Sequence, residues 1–225
     1  LKARLVKNII AIGISPFLMN LCACLIINFI NNQLVKYGGD LMVGAYGIAS
    51  AISTVFVMII IGVNQGMQPI AGYNYGAQKI DRLLRVLKLA MITATVIMTT
   101  GWLIAMTLPH LLARIFTNDP SLIKIAVPAI RLNMLVFFII GFQMVITNFF
   151  QCIGKVKISI FLSLSRQLLF LLPLLYVFPL QFGVNGVWYA MPTSDFIAAT
   201  VAGVIMVLYM RKFKQQIKQS IHENG

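Results

Sequence analysis

Negative charge is what this 225-residue chain has least of: five Asp and Glu stand against eighteen Lys and Arg, and histidine occurs twice. Acids and imidazoles this few, scattered over loops, ends and one helix, give no paired carboxylates at a shared site and no metal cluster. No loop is built to cradle a phosphate either, so the expectation is a protein that is not an enzyme and holds neither cofactor nor metal. Cysteine is also scarce. Cys22 and Cys24 stand two apart on a presumed helix and point to different faces, and Cys152 lies at the edge of another apolar segment, which disfavours a disulfide or a metal site. Charged residues of both signs make up only 10% of the chain, against 60% hydrophobic residues and a mean hydropathy of +0.90. That balance excludes a soluble globular domain. The net charge of +13 would suit nucleic acid, but the basic residues fall in the gaps between apolar segments. They form no stripe with interleaved aromatics for bases to stack on, so nucleic acid is not an expected partner.

What the chain does have is long hydrophobic runs. Six apolar segments, 9–30, 43–63, 89–108, 132–150, 158–180 and 187–209, each meet the ~20 residues a helix needs to cross a bilayer. The expected fold is all-α: a polytopic, multi-pass membrane protein whose six transmembrane helices form one lobe over 1–225, ending in a basic tail at 211–225. Lys2, Arg4 and Lys7 lead in; Lys79, Arg82, Arg85 and Lys88 follow the second span; Lys155 and Lys157 precede the fifth; Arg211, Lys212, Lys214 and Lys218 follow the sixth. The opposite gaps hold only Lys36, Arg114, Lys124 and Arg131. The excess of positive charge places both ends of the chain in the cytoplasm.

Three polar features interrupt the apolar runs. Residues 62–79, GVNQGMQPIAGYNYGAQK, place Pro69, Gly72 and Gly76 in quick succession, so the second helix is expected to leave the membrane and turn here. Gln65, Gln68 and Asn74 suit membrane depth only where they face protein or a watery cavity; the plainer alternative is a cytoplasmic loop with an aromatic belt at Tyr73 and Tyr75. The second feature is a pair of stripes, each within about 80° of one helix face. Below Pro16, span one carries Asn20, Cys24, Asn28 and Asn31, and span four carries Asn133, Gln143, Thr147 and Gln151. Such stripes either make interhelical hydrogen bonds, each contributing about 0.6–2 kcal/mol, or wall a central cavity. Smaller signals are Pro109 and His110 ending span three, a helix start at 117–121 (TNDPS), Gly154 closing span four, and an amphipathic stretch from Ile80 to Lys88 expected to lie along the inner surface.

The third feature is the pair of charges that no shift of boundaries brings to the surface, Arg166 and Asp195. Each would cost about 2.5–3.5 kcal/mol alone at a helix centre. Counting rise along the two helices leaves about 6 Å of depth between their backbones, within reach of an arginine. They are expected to pair, either as a structural ion pair or as a coupling site at which Asp195 exchanges a proton or cation while Arg166 tunes it.

Residues 68–77 (QPIAGYNYGA), 165–173 (SRQLLFLLP) and 182–195 (FGVNGVWYAMPTSD) together, in this order and spacing, resemble the C-terminal half of MATE multidrug and toxic compound extrusion transporters. Members of that family are about twice as long and consist of two six-helix lobes. The resemblance therefore implies one lobe whose partner is a missing N-terminal six-helix lobe. It implies efflux of drugs and other small organic cations across the plasma membrane, coupled to Na+ or H+ antiport through alternating access. Under it, Asn20, Asn28, Gln143, Thr147 and Gln151 are candidates for the substrate cavity, and Gln65, Gln68, Pro69 and Tyr73 for a cytoplasmic gate. Some branches of the family carry a glutamate and an aspartate where Cys24 and Gln143 stand here, so the coupling carboxylate is expected in the other lobe. Two alternatives stay open: a lipid-linked oligosaccharide flippase, disfavoured because only Arg166 is deep, and a self-contained six-helix channel or scaffold subunit.

Overall fold

A computed structural model describes the backbone from Ala3 to Glu223 and the side chains of residues 20–211 and Phe213. Lys2, the side chains of Pro16, Arg4, Lys7, Lys212, Lys214 and Lys218, and most other side chains of the expected tail at 211–225 lie outside the described residues. Every regular element described is helical: α1 (Ala3–Gly38), α2 (Asp40–Gly76), α3 (Ile80–Thr107), α4 (Pro109–Phe116), α5 (Pro120–Asn133), α6 (Phe137–Cys152), α7 (Val156–Leu164), a π-helical segment (Ser165–Leu171), α8 (Leu172–Phe182) and α9 (Val184–Glu223). Among the described residues four helical stretches are long and apolar enough to cross a membrane: α2, α3, the run from Val156 to Phe182, and α9 as far as Arg211. A fifth crossing is made if α5 and α6, bent by 50° at the break between them, count as one broken span. The first expected span, 9–30, lies on α1, half of it outside the described side chains. The protein is a multi-pass integral membrane protein.

α6 is the core helix. Its Phe137, Ile140, Val145, Ile146, Phe149 and Phe150 are all buried, against α2, α3 and α9. Large apolar side chains such as Val55, Met58, Val96, Leu103 and Leu180 point outward instead, as a lipid-facing surface requires. The connections are short, and α8 reaches α9 through Gly183 alone, at a φ of 57° that side chains with a Cβ adopt at a cost.

Several boundaries differ from the sequence expectation. α2 does not break at Pro69 but runs on to Gly76, because Ala71 and Asn74 are buried and the packing outweighs the single hydrogen bond that proline forfeits. Asn74 donates through Nδ2 to Ile70 O at 2.8 Å and so belongs to its own helix. The stretch from Ile80 to Lys88 is the start of α3 itself; with Leu83 and Leu87 fully buried it packs into the core and does not lie along the surface. The fourth expected span, 132–150, falls across the break between α5 and α6, and α5 starts well before it, at Asp119, which caps it through Ser121 N–H at 2.9 Å. Asn133 therefore leaves the stripe assigned to it. It sits before the bend and donates to Ser53 Oγ on α2 at 2.9 Å.

Candidate functional site

On α2, Asn64 and Gln68 stand one turn apart; on α6, Gln143, Thr147 and Gln151 do the same. An i, i+4 spacing puts such residues on one helix face. Together with Gln65, Asn148 and, from the third wall, Ser163, Arg166 and Gln167, they line one cavity of about 430 Å³. Ile61 and Met144 supply its apolar patches. The third wall owes its shape to the π-helical segment. Pro173 has no N–H to return to Leu169, and the bond that closes the segment runs from Leu172 N–H to Gln167 O, five residues back. The widened turn carries Arg166 and Gln167 on the cavity side.

Arg166 and Asp195 are joined, Nε to Oδ1 at 2.7 Å. Their surroundings differ. Asp195, on α9, has a side chain 9% exposed and takes no part in the lining, whereas that of Arg166 is 34% exposed and lines the cavity. The carboxylate thus meets the guanidinium at Nε and is itself outside the lining. Three lining amides are incompletely satisfied: Asn64 Oδ1, Gln143 Oε1 and Gln167 Oε1 are buried without a hydrogen-bond partner. Asn31 Oδ1 and Gln33 Oε1 on α1 share that condition, outside this cavity. Thr147 bonds back to Gln143 O at 2.9 Å, and Asn148 Oδ1 accepts from Cys152 Sγ at 3.3 Å.

Of the residues singled out from sequence, Gln143, Thr147, Gln151, Gln65, Gln68 and Arg166 converge here. Asn20 and Asn28 do not: both are exposed on α1, and Asn28 Nδ2 donates to Cys24 O of its own helix at 3.1 Å. Pro69 and Tyr73, the latter 70% exposed, also stand outside the lining. Asn64, Asn148, Ser163 and Gln167 were missed. Asn64 could have been found from its one-turn spacing to Gln68, and Gln167 from Pro173 downstream, which predicts a widened turn. Among the described residues no group of three or more His, Cys, Asp or Glu could hold a metal.

Residues 16–177 match the family model MatE. The Multidrug export protein MepA of Staphylococcus saprophyticus is 24% identical over 205 residues, 91% of this chain and 45% of that protein. MepA of Staphylococcus haemolyticus is 23% identical over 202 residues, 90% of this chain and 44% of its own. The chain thus spans about half the length of the curated relatives it matches. Among solved structures, the MATE multidrug transporter DinF-BH, determined as a ligand complex, is 35% identical, with a TM-score of 0.80 over 92% of this chain and 46% of that one. The inward-facing conformation of a multidrug resistance MATE family transporter of the MOP superfamily superimposes with a TM-score of 0.86 over 96% of this chain and 50% of that one, at 22% identity, a likeness of fold. The chain belongs to the MatE family of membrane transporters.

Proposed function

We propose that this chain is the C-terminal lobe of a multidrug efflux transporter that expels drugs and organic cations through the plasma membrane, driven by Na+ or H+ antiport. The observation that carries this reading is the cavity of about 430 Å³, polar yet set among membrane-crossing helices. Its volume falls in the range of small-molecule sites, about 300–1,000 Å³, and amides at this depth are tolerated where they border water or a guest. The names of the relatives point the same way, since MepA is a multidrug export protein and DinF-BH is a multidrug transporter solved with a ligand bound. In this reading an N-terminal lobe faces the cavity, and the two rock about it to give alternating access. Both ends of the chain are cytoplasmic. The lining described here includes no carboxylate, and Asp195 is engaged behind Arg166, so the coupling carboxylate belongs to the other lobe and Asp195 is a positioning residue.

The test is efflux of a cationic dye, rhodamine 6G, from vesicles containing the native protein, under an imposed Na+ gradient and separately under a pH gradient. One of the two gradients is expected to drive dye movement, and Gln143→Leu is expected to slow it while the protein still folds. Dye movement under neither gradient would sink the transporter reading.

A further inference from the structure

We propose that the groove between α4 and α5 holds the phosphate of an anionic phospholipid, with Arg114 and Lys124 as its cationic ligands. The site stands apart from the transport reading, since none of its residues lines the cavity around Arg166.

One-turn spacings divide α4 into three faces. Pro109 and Ala113 are buried. One residue on, His110 and Arg114 are exposed and line a cavity of about 600 Å³. One residue further, Leu111 and Ile115 are exposed as well, at 57% and 70%, with Leu108 and Phe116 beside them. A short helix whose outer surface is part apolar and part cationic belongs where hydrocarbon meets water. Its place in the chain agrees, because α4 begins just after Thr107, where the membrane-crossing length of α3 ends.

The second wall comes from α5. Lys124 lines the cavity from that helix, Asn118 from the turn before it, and the half-buried Ile123 and Val127 supply apolar lining. The arrangement suits the two chemistries of a lipid head. A guanidinium matches two phosphate oxygens and an ammonium adds a point charge, while the apolar wall accepts the glycerol and the first methylenes of the chains. No carboxylate competes for the cations inside the cavity. Asp119, next to Asn118 in sequence, is outside the lining and accepts from the N–H and hydroxyl of Ser121.

Neither pairing nor orientation accounts for these charges. Among the described residues, His110, Arg114, Asn118 and Lys124 make no ion pair and no side-chain hydrogen bond. Like charges gathered in one concavity repel, and an anion between them removes that cost. The gaps on this side of the sequence hold only Lys36, Arg114, Lys124 and Arg131, so half of a sparse set lies in one groove. Positive charge here works against the orientation that the larger basic set favours. A lipid explains the groove better than a free anion does, because the exposed ridge of Leu111 and Ile115 alongside it offers acyl chains a surface that a soluble ion cannot use.

The experiment places the native protein, with its cysteines replaced and Leu111→Cys carrying a bimane fluorophore, in phosphatidylcholine vesicles. Position 111 is beside the cavity and outside its lining. A minor share of the lipid is brominated in its chains, as phosphatidylglycerol in one series and phosphatidylcholine in the other, and quenching reports which lipid sits next to α4. Phosphatidylglycerol is expected to quench as though enriched about fivefold or more, the scale of a basic side chain near an anionic head group. Arg114→Gln with Lys124→Gln should bring the two lipids within about twofold of each other, and Lys124→Glu alone should also lower the enrichment. Arg82→Gln with Arg85→Gln, exposed residues of the larger basic set, should leave it unchanged. Equal quenching by the two lipids, an enrichment that survives both changes at Lys124, or one lost equally in the Arg82 and Arg85 variant would overturn the proposal. So would an absence of enrichment with inorganic phosphate shifting the bimane emission, which would make the groove a site for a free anion. None of these readouts depends on dye efflux, so the lipid site and the transport reading stand or fall separately.

Discussion

At the scale of single residues, the partners of the Arg166–Asp195 pair are not equivalent. Breaking a buried ion pair costs about 3–5 kcal/mol when the remaining charge has nowhere to go. If Asp195 is changed to Asn, Arg166, 34% exposed to the cavity, can still reach water; if Arg166 is changed to Gln, Asp195, 9% exposed, cannot. Arg166→Gln is therefore expected to be the more destabilising single change, near the top of that range, with Asp195→Asn well below it. The double variant should be milder than the sum of the two, a non-additivity that thermal melting in detergent would measure as a double-mutant cycle. Equal single effects that simply add would mean the pair contributes nothing as a pair. Asp119, outside the membrane-crossing stretches, behaves differently. The Ser121 hydroxyl, at 2.7 Å, and then the Ser121 N–H hold its carboxyl below the usual carboxylate range. Its folded value lies below the unfolded one of about 3.9, so its contribution to the start of α5 is complete above about pH 4 and is lost as pH falls through the lowered value. Hydrogen exchange at Ser121 and Leu122, corrected for intrinsic rates, should show protection that is flat from pH 5 to 8 and lost only in stronger acid. Asp119→Ala should abolish that acid transition.

Between helices, two glycines on neighbouring contacts of α6 predict opposite outcomes. A Cβ at Gly141 would stand 2.8 Å from the backbone oxygen of Ala94 on α3, a contact that no rotamer change relieves. One at Gly203 on α9 would meet only the ring of Phe142, at an ordinary 3.7 Å. Gly141→Ala is expected to lower stability by about 1–3 kcal/mol through overpacking. Gly203→Ala is expected to be neutral or to raise stability by up to about 1 kcal/mol through helix propensity. Melting temperatures in the same detergent decide, and a Gly141→Ala protein as stable as wild type would show that α3 and α6 are free to separate. The close approach at Gly141 joins elements far apart in sequence, and no local pattern announces it. The same limit explains which parts of the site were legible. The stripe of Gln143, Thr147 and Gln151 has the helical period within one element and could be read directly, as could the need of Arg166 and Asp195 for each other, since lipid offers neither any alternative. Asn28 has the same spacing on α1 and yet bonds to its own backbone, because periodicity defines a face without saying what covers it. The bend that removes Asn133 from the stripe lies in a run of apolar residues without proline or glycine, and it is the hydrogen bonds from Asn133 to Ser53 and Ala49 on α2 that reveal where it went.

For the whole molecule, the proposal that both ends are cytoplasmic carries with it a side from which the cavity is reached, and that side can be tested. Lys155, in the turn after α6, belongs to the basic set, whereas Asn118 precedes α5, on the opposite side if α5 and α6 make one crossing. In a protein with Cys22, Cys24 and Cys152 replaced, a cysteine at position 118 should react with an impermeant maleimide added outside intact cells, and one at 155 only after permeabilisation. The reverse pattern would invert the topology and with it the direction of export. The cavity follows from the same geometry. Gln151 lies about 6 Å along the helix from Lys155 and Gln143 about 18 Å, so with Lys155 at the inner face of a hydrocarbon layer of about 30 Å, as the proposed orientation requires, the lining would run from that face to a little past the midplane. Gln151 is exposed and Gln143 is 3% exposed. Labelling from the cytoplasmic side should therefore be fast at Gln151→Cys and slow at Gln143→Cys, and a bound ligand should slow both. A Gln143→Cys that labels quickly from outside, with Gln151→Cys slow, would mean that the lobe holds its cavity open to the exterior, and the helix ends at Gly76 and Cys152 would then form its floor instead of its mouth.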